Sequence, residues 1–274
     1  MKQHKKGLAL WLAAILLLLA GALLTGSPGR AEGVQEAMRD AVLHDLNRIS
    51  LFGVKDVNPG LISAFTVTGF LLVVAALIRI FAIPRFRYTP GKLQLLVEEA
   101  VGFFDRTAKD NSPHRSGFVG TYIFAVGCYV FVSTLFELLG LQAVSTHGNP
   151  ITLPAPLSDV NAAIATGTLS YLVIVSGGIA GNGVKGIGKA LKEFSLPISM
   201  SFRLFGALLS GLLVTELVYY YVSLSFVLPV IVGVMFTLLH ALIQTYVLTM
   251  LTALYYGEVS EHTPPKEKKK AKHA

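Results

Sequence analysis

The chain has 274 residues, of which 53% are hydrophobic and 14% charged, and its formal net charge is +7. A soluble chain carries about 25% charged residues, so this composition excludes an ordinary soluble domain. The positive charges stand in short clusters beside long apolar blocks, which is typical of membrane proteins and argues against nucleic-acid binding. The single cysteine, Cys128, lies inside an apolar block, so a disulfide framework is excluded.

The first 31 residues are typical of a signal peptide. They combine a basic start, an apolar run and a small-residue site that ends at Ala31. An uncleaved N-terminal anchor is the alternative. In both cases the next segment, residues 32–60, is predicted to lie on the external side of the membrane, with an amphipathic helix around Val42, Leu46 and Ile49.

Five later apolar blocks are long enough to cross a bilayer, which takes about 20 apolar residues in a helix. They cover residues 61–83, 118–141, 160–180, 196–222 and 226–256. The segment 93–109 carries its apolar residues on one stripe, which predicts an amphipathic helix that lies along or re-enters the membrane surface. The predicted fold class is therefore all-α: a polytopic membrane protein with five transmembrane helices, one amphipathic or re-entrant helix and a long, tilted C-terminal helix hairpin.

Basic residues predict the orientation of these spans, because lysine and arginine favour the cytoplasmic side. Basic clusters follow the first and third spans, and the tail 263–274 carries five lysines. We therefore predict an external N-terminal segment, a membrane domain over 61–262 and a basic cytoplasmic tail.

Four ionisable residues lie deep within the apolar blocks, namely Glu137, Arg203, Glu216 and His240, whereas Arg79 stands near a helix end and can extend its charge to the membrane surface. Such groups are costly at membrane depth and usually mark function. Arg203 has two interpretations, since it could extend its charge to the membrane surface or act as a fixed electrostatic gate. The residues alone leave both open.

The string from Pro197 to Gly206, Pro-Ile-Ser-Met-Ser-Phe-Arg-Leu-Phe-Gly, resembles the signature of subunit a of F-type ATP synthases. In that family one arginine faces a rotating ring of c subunits, and Arg203 takes its place here. Gln244 is similar to the family's glutamine on the last helix. Three weaker likenesses follow the family's order, namely Glu137, the string 156–161 with Asp159, and the string 185–188. The likeness runs from about residue 61 to 262.

This resemblance implies a stator channel subunit that is not an enzyme by itself. Arg203 would separate two half-channels through which protons reach and leave the c-ring. The residues that the resemblance and the buried charges assign to proton translocation are Arg203, Gln244, Glu137, His240, Asp159 and Glu216. The implied partners are an oligomeric c-ring, the subunit b peripheral stalk, the rest of the ATP synthase and the lipid bilayer of a bacterial inner (plasma) membrane. No cofactor, metal or catalytic residue is expected.

The chain departs from the family pattern at three positions. Ala207 stands where the family usually has an asparagine. Leu212 stands where many members have a glutamate, and Thr237 stands where those members have the histidine that pairs with that glutamate. In an antiparallel hairpin that pairs Arg203 with Gln244, His240 falls level with Ala207. The imidazole is therefore predicted to fill the space of the missing amide.

Glu216 and His240 do not form a displaced version of the usual pair by the same register. Their axial separation is about 13 Å at 1.5 Å per residue, so contact between them is not expected.

Two other function classes are less well supported. A secondary transporter would often show inverted repeats and broken helices at mid-membrane, and no such symmetry is visible. An intramembrane enzyme would need a nucleophile with its base or a metal cluster. The sequence has no HExxH, no GxSxG and no carboxylate–histidine set at ligand spacing.

Overall fold

The computed structural model describes residues 49–51, 54–144, 146, 150–220 and 228–261. The predicted signal segment 1–31, most of the external segment 32–60 and the basic tail 263–274 lie outside these residues. Their assignments stay predictions.

The described residues form seven α-helices, which account for nearly all of the fold. In chain order these are α1 Pro59–Leu77, α2 Lys92–Asn111, α3 Ser116–Leu135, α4 Val160–Asn182, α5 Val184–Lys192, α6 Ser195–Tyr220 and α7 Leu228–Ser260. A π-helical turn, Ile78–Ala82, and a 3₁₀ turn, Ile83–Arg85, extend α1, and a 3₁₀ turn, Phe136–Leu139, extends α3.

In the described part of the chain, one short antiparallel hairpin precedes α1 and another connects α3 to α4, where the sequence did not predict strands. The first pairs β1 (Ile49–Leu51) with β2 (Val54–Val57), and the second pairs β3 (Gln142–Val144) with β4 (Pro150–Thr152). Ile49 therefore lies in a strand and not in the expected amphipathic helix, whose other members lie outside the described residues. Strands of three or four residues leave the all-α class intact.

The membrane-spanning segments agree with the predicted all-α polytopic fold. Among the residues that the structure describes, four helical segments are long and apolar enough to cross a bilayer: Pro59–Arg85, Pro113–Leu139, Val160–Asn182 and Val230–Ser260. A fifth crossing requires α5 and the first part of α6 together, because they are bent by 49° at the break between them. The predicted amphipathic segment forms α2, and most of its first half is exposed.

The described helices divide into two compact units. The first unit comprises the described residues up to Leu77, with Cys128–Ala163 and Phe202–Thr245. Its apolar core joins both hairpins to α1 and the end of α3, through Ile49, Val67, Phe136, Ile151 and Leu153. All six residues that the sequence assigns to proton translocation belong to this unit.

The second unit comprises Ile78–Gly127, Ile164–Ser201 and the described residues from Tyr246 onward. Here the end of α7 is held by side chains from α4 and α5. The Asn182 amide donates to the carbonyls of Val259, at 3.0 Å, and Glu261, at 2.8 Å, and the Lys189 ammonium donates to Glu261 at 3.0 Å. The last carbonyls of a helix lack partners within the helix, so these bonds stabilise its end.

The string Lys185–Gly188 is explained by packing in this second unit. Gly186 lies so close to the Gly178 carbonyl that a Cβ atom at residue 186 would collide with it. Glycine at this position therefore allows α5 to pack directly on α4.

Candidate functional site

The helix pair α6–α7 carries the central residues of the site. The Gln244 Nε2 atom donates to the backbone carbonyl of Arg203 at 3.0 Å, and Gln244 is only 5% exposed. Helical side chains lean toward the N-terminus of their own helix, whereas helical carbonyls point toward its C-terminus. In an antiparallel pair these two directions coincide, so the contact fits the predicted register, in which Arg203 and Gln244 stand at the same level.

The Arg203 side chain is directed away from the rest of its own chain. It is exposed, and its guanidinium makes no hydrogen bond or ion pair with any residue that the structure describes. Phe202 beside it is 68% exposed, and Ser210, seven residues later on the same helix face, is exposed as well. A Cβ atom added at Gly206 would meet nothing within 4 Å. A permanent charge therefore stands on an exposed face among apolar and small residues.

The His240 imidazole lies beside Gly211, which is one helical turn after Ala207, the residue that the register places level with His240. A Cβ atom built at Gly211 would lie 3.7 Å from the His240 Nδ1 atom, and the imidazole is 5.9 Å from the Phe236 ring, centroid to centroid. The predicted register compares only the levels of backbone atoms along the two helices. Because the side chain leans toward the start of α7, the ring covers the preceding turn, which faces Gly211. The imidazole is therefore placed beside Gly211, and its predicted role in the space beside Ala207 stays a prediction.

Asp159 forms a cap at the beginning of α4. Its Oδ1 atom accepts a hydrogen bond from the Asn161 backbone N–H at 2.8 Å, and its Oδ2 atom accepts one from the Asn58 amide. Asn58 was not among the site residues that the sequence predicted. The available signal was its place directly before the first span, since asparagine and aspartate are the preferred residues at helix starts.

The two glutamates differ in what the structure describes of them. Glu137 is half-buried in the 3₁₀ turn after α3, and its carbonyl accepts a bond from the Gly140 N–H at 3.3 Å, where the chain reverses with Gly140 at φ 56°. Glu216 belongs to α6, but its side chain lies outside the described part. Its predicted separation from His240 stays a prediction.

The structure brings Arg203 and Gln244 together and leaves the other titratable groups apart. No hydrogen bond or ion pair connects Glu137, Asp159, Arg203 and His240 among the described residues. Nor do those residues contain a group of three or more histidine, cysteine or acidic side chains that could hold a metal ion. The arrangement offers a fixed cation with a buried amide behind it, and separate groups that can exchange protons.

Comparison with known proteins gives a consistent result. The family model of the ATP synthase A chain matches residues 61–257. ATP synthase subunit a of Vibrio cholerae serotype O1 (strain ATCC 39315 / El Tor Inaba N16961) is 28% identical over 204 residues, which cover 63% of this chain and 73% of the relative. ATP synthase subunit a of Cereibacter sphaeroides (strain ATCC 17025 / ATH 2.4.3) is 26% identical over 197 residues, or 68% and 75% of the two chains. The family match extends over more than half of the sequence, and the chain therefore belongs to the ATP synthase A chain family, a membrane-sector and not a catalytic component of the F-type ATP synthase.

Proposed function

We propose that this chain is the stator channel subunit of a rotary F-type ATP synthase. Protons reach a c-ring through one half-channel and leave it through another, and Arg203 separates the two. The observation that carries the proposal is the exposed Arg203 guanidinium, which has no partner in the described part of its own chain, on a helix whose backbone is fixed by the buried Gln244.

The physical role of Arg203 follows from its permanent charge, because arginine does not lose its proton at useful pH. Two unit charges about 4 Å apart interact by about 4 kcal/mol at an effective dielectric constant of about 20. An ionised carboxylate on a passing c subunit is therefore favoured beside Arg203 over its protonated form. The same charge repels a proton that would otherwise cross directly between the half-channels.

Gln244 supports this gate from behind. A side-chain amide has two N–H groups and one carbonyl oxygen. One N–H holds the Arg203 backbone carbonyl. The other groups of the amide are those that we propose hold the guanidinium or the rotor carboxylate during passage.

The remaining residues are proposed to belong to the half-channels. Glu137 and His240 can each take up and release a proton, and histidine does so near neutral pH because its ordinary pKa is about 6.5. We assign them, with Asp159, to the outer half-channel, and we keep Glu216 as a further member. The supporting observation is that all of them lie in the same compact unit as Arg203.

The proposed partners are the c-ring, the subunit b peripheral stalk and the lipids of a bacterial inner membrane, with the N-terminal segment external and the C-terminus cytoplasmic. One contact supports this crossing order. The bond between Asn58 and Asp159 joins the starts of α1 and α4, so the first and third spans begin on the same side. In a chain that crosses the membrane at every span, alternate spans begin on the same side in either orientation. The contact therefore supports the order of the crossings, and the basic clusters support their orientation.

Cross-linking in the assembled complex tests whether this face meets the ring. A photoreactive residue at Ser210 lies on the Arg203 face and leaves the arginine in place, whereas Leu208, which is 4% exposed, serves as the buried control. We expect Ser210 to cross-link to a c subunit and Leu208 not to do so. Equal labelling from both positions, or purification of an active transporter without any ring, would favour a different class of membrane protein.

A further inference from the structure

The starts of α1 and α4 are joined by a side-chain bond between residues 101 positions apart in the sequence. Asn58 stands directly before α1, and Asp159 stands directly before α4. The link touches neither the Arg203–Gln244 contact nor the apolar core, and it concerns how Asp159 takes part in the outer half-channel to which we assign it. Asn58 also precedes the residues matched by the family model, which begin at 61. Its role must therefore be found from its contacts.

Three hydrogen bonds form a continuous chain across the two helix starts. The Gly60 N–H donates to Asn58 Oδ1 at 2.8 Å, the Asn58 amide donates to Asp159 Oδ2, and the Asn161 N–H donates to Asp159 Oδ1 at 2.8 Å. Each side chain thus caps the beginning of its own helix and contacts the other cap. The first N–H groups of a helix have no partner within it, so both caps satisfy donors that would otherwise lack one.

Gly60 is what allows the two helix starts to come this close. A Cβ atom at residue 60 would stand 3.2 Å from Asn58 Oδ1 and 3.3 Å from Asp159 Cβ. Both separations are tighter than ordinary side-chain contacts. A larger residue would press against the pair on both sides.

The bonding pattern suits Asp159 to holding two helices more than to carrying protons. Both carboxylate oxygens accept from N–H groups, and the carboxylate stands at the positive ends of two helix dipoles. Taking up a proton would turn an O–H toward one of those donors. Each proton transfer would therefore disturb a cap.

We propose that Asn58 is a positioning residue and that Asp159 acts in this protein through its bond to Asn58. The pair fixes the start of the first span against the start of the third. Proton pumping is only the readout here, so the inference rests on the proposed function for its assay and not for its geometry.

Exchange of the two side chains tests the inference directly. In the double variant Asn58→Asp/Asp159→Asn, the new amide at 159 can donate to the new carboxylate at 58. The carboxylate at 58 still accepts from Gly60, and the amide oxygen at 159 still accepts from Asn161. All three bonds and the net charge are retained, while the carboxylate moves from α4 to α1.

The single variants lose this pattern. Asp159→Asn alone sets one N–H group against another, and Asn58→Asp alone sets two carboxylates against each other. A matched control, Asp159→Asn/Asn161→Asp, keeps the net charge and a carboxylate in the same turn but breaks the paired caps. ATP-driven pumping is measured in inverted membrane vesicles that contain the complete complex, together with the amount of subunit incorporated.

We expect the exchanged pair to pump about five-fold faster than either single variant and than the control, as neighbouring polar side chains couple in double-mutant cycles. Pumping by the exchanged pair that is no faster than by Asp159→Asn would overturn the inference, because a carboxylate at 159 itself would then be required. Failure of the exchanged pair to assemble, or parental rates in both single variants, would overturn it too. Normal pumping by Arg203→Ala in the same vesicles would instead reject the proposed gate and leave the exchange result standing.

Discussion

Gln244 donates a hydrogen bond to the main chain of Arg203, not to its guanidinium. The buried amide therefore fixes the backbone of α6 at the level of the charge, while the guanidinium is left to face a partner. In the proposed gate, the backbone at residue 203 would therefore keep its position while the arginine side chain moves toward a rotor carboxylate and back. Arg203 thus supplies the charge, and Gln244 fixes the backbone that carries it.

Replacement of Gln244 by leucine should weaken pumping moderately. An interhelical hydrogen bond in a membrane contributes about 0.6 kcal/mol, which corresponds to roughly a three-fold change. We expect a pumping rate about three-fold below that of the parent, with normal assembly, because the α6 backbone stays intact. A loss larger than three-fold would measure the amide's proposed contact with the guanidinium or the rotor carboxylate, whereas pumping at the parental rate would contradict both roles of Gln244.

Replacement of Gln244 by glutamate should produce a pH-dependent defect. An ionised carboxylate has no hydrogen to donate and would face the Arg203 carbonyl with like partial charge. The protonated form regains one O–H donor, so pumping relative to the parent should rise as pH is lowered. A ratio that stays constant or falls with decreasing pH would contradict this interpretation of the contact.

A bulky residue at Gly206 should block pumping without disturbing the fold. The space beside Gly206 is empty within the described chain, and leucine favours a helix over glycine by about 1 kcal/mol. We therefore expect Gly206→Leu to assemble fully and to lose most of its ATP-driven pumping, because the ring can no longer approach Arg203. Gly69→Leu is the matched control, since Gly69 is also helical and a Cβ atom there would also meet nothing within 4 Å. Comparable pumping by the two variants would mean that no partner approaches this face.

The position of the His240 ring predicts which substitution can replace it. Because the imidazole lies over Gly211, an amide introduced there should restore a polar link that His240→Leu removes. We expect Gly211→Asn/His240→Leu to pump faster than His240→Leu alone, whereas Ala207→Asn/His240→Leu should not. Full activity of His240→Leu by itself would show that the imidazole has only a packing role.

Labelling from the two sides of the membrane tests the predicted orientation. Single cysteines at Glu36 and Ala271 are introduced in a Cys128→Ser background, so that no other thiol reacts. A membrane-impermeant reagent should label residue 36 only from the external side and residue 271 only from the cytoplasmic side. Labelling of both residues from one side would contradict five crossings.

The spans could be predicted from the sequence because the bilayer imposes a single requirement on them. An apolar run of about 20 residues forms a crossing helix, because a helix satisfies all of its backbone hydrogen bonds within the bilayer. The predicted ranges 160–180 and 196–222 accordingly agree with α4 and α6 within a few residues. The sequence also predicted that Gln244 stands at the same level as Arg203, since both helices of the pair have the same fixed rise per residue.

The contacts at the helix ends could not be predicted in the same way. The bond between Asn58 and Asp159 depends on two polar residues 101 positions apart, and no periodicity marks such a pair. The contact of the His240 ring with Gly211 was not predicted, because the register describes backbone levels and not the lean of a side chain. The strands of the two described hairpins have only three or four residues each, which is too short to show an alternating pattern.

The most direct test of the proposed gate is ATP-driven proton pumping by Arg203→Ala in inverted membrane vesicles. Assembly should be normal, because the guanidinium has no partner among the described residues and the Gln244 bond uses only the backbone of residue 203. Arg203→Lys is the companion variant, and it should also fail largely since an ammonium lacks the planar, forked donors of arginine. We predict loss of pumping in Arg203→Ala, with passive proton leak through the assembled sector. Pumping at the parental rate by that variant would contradict this prediction.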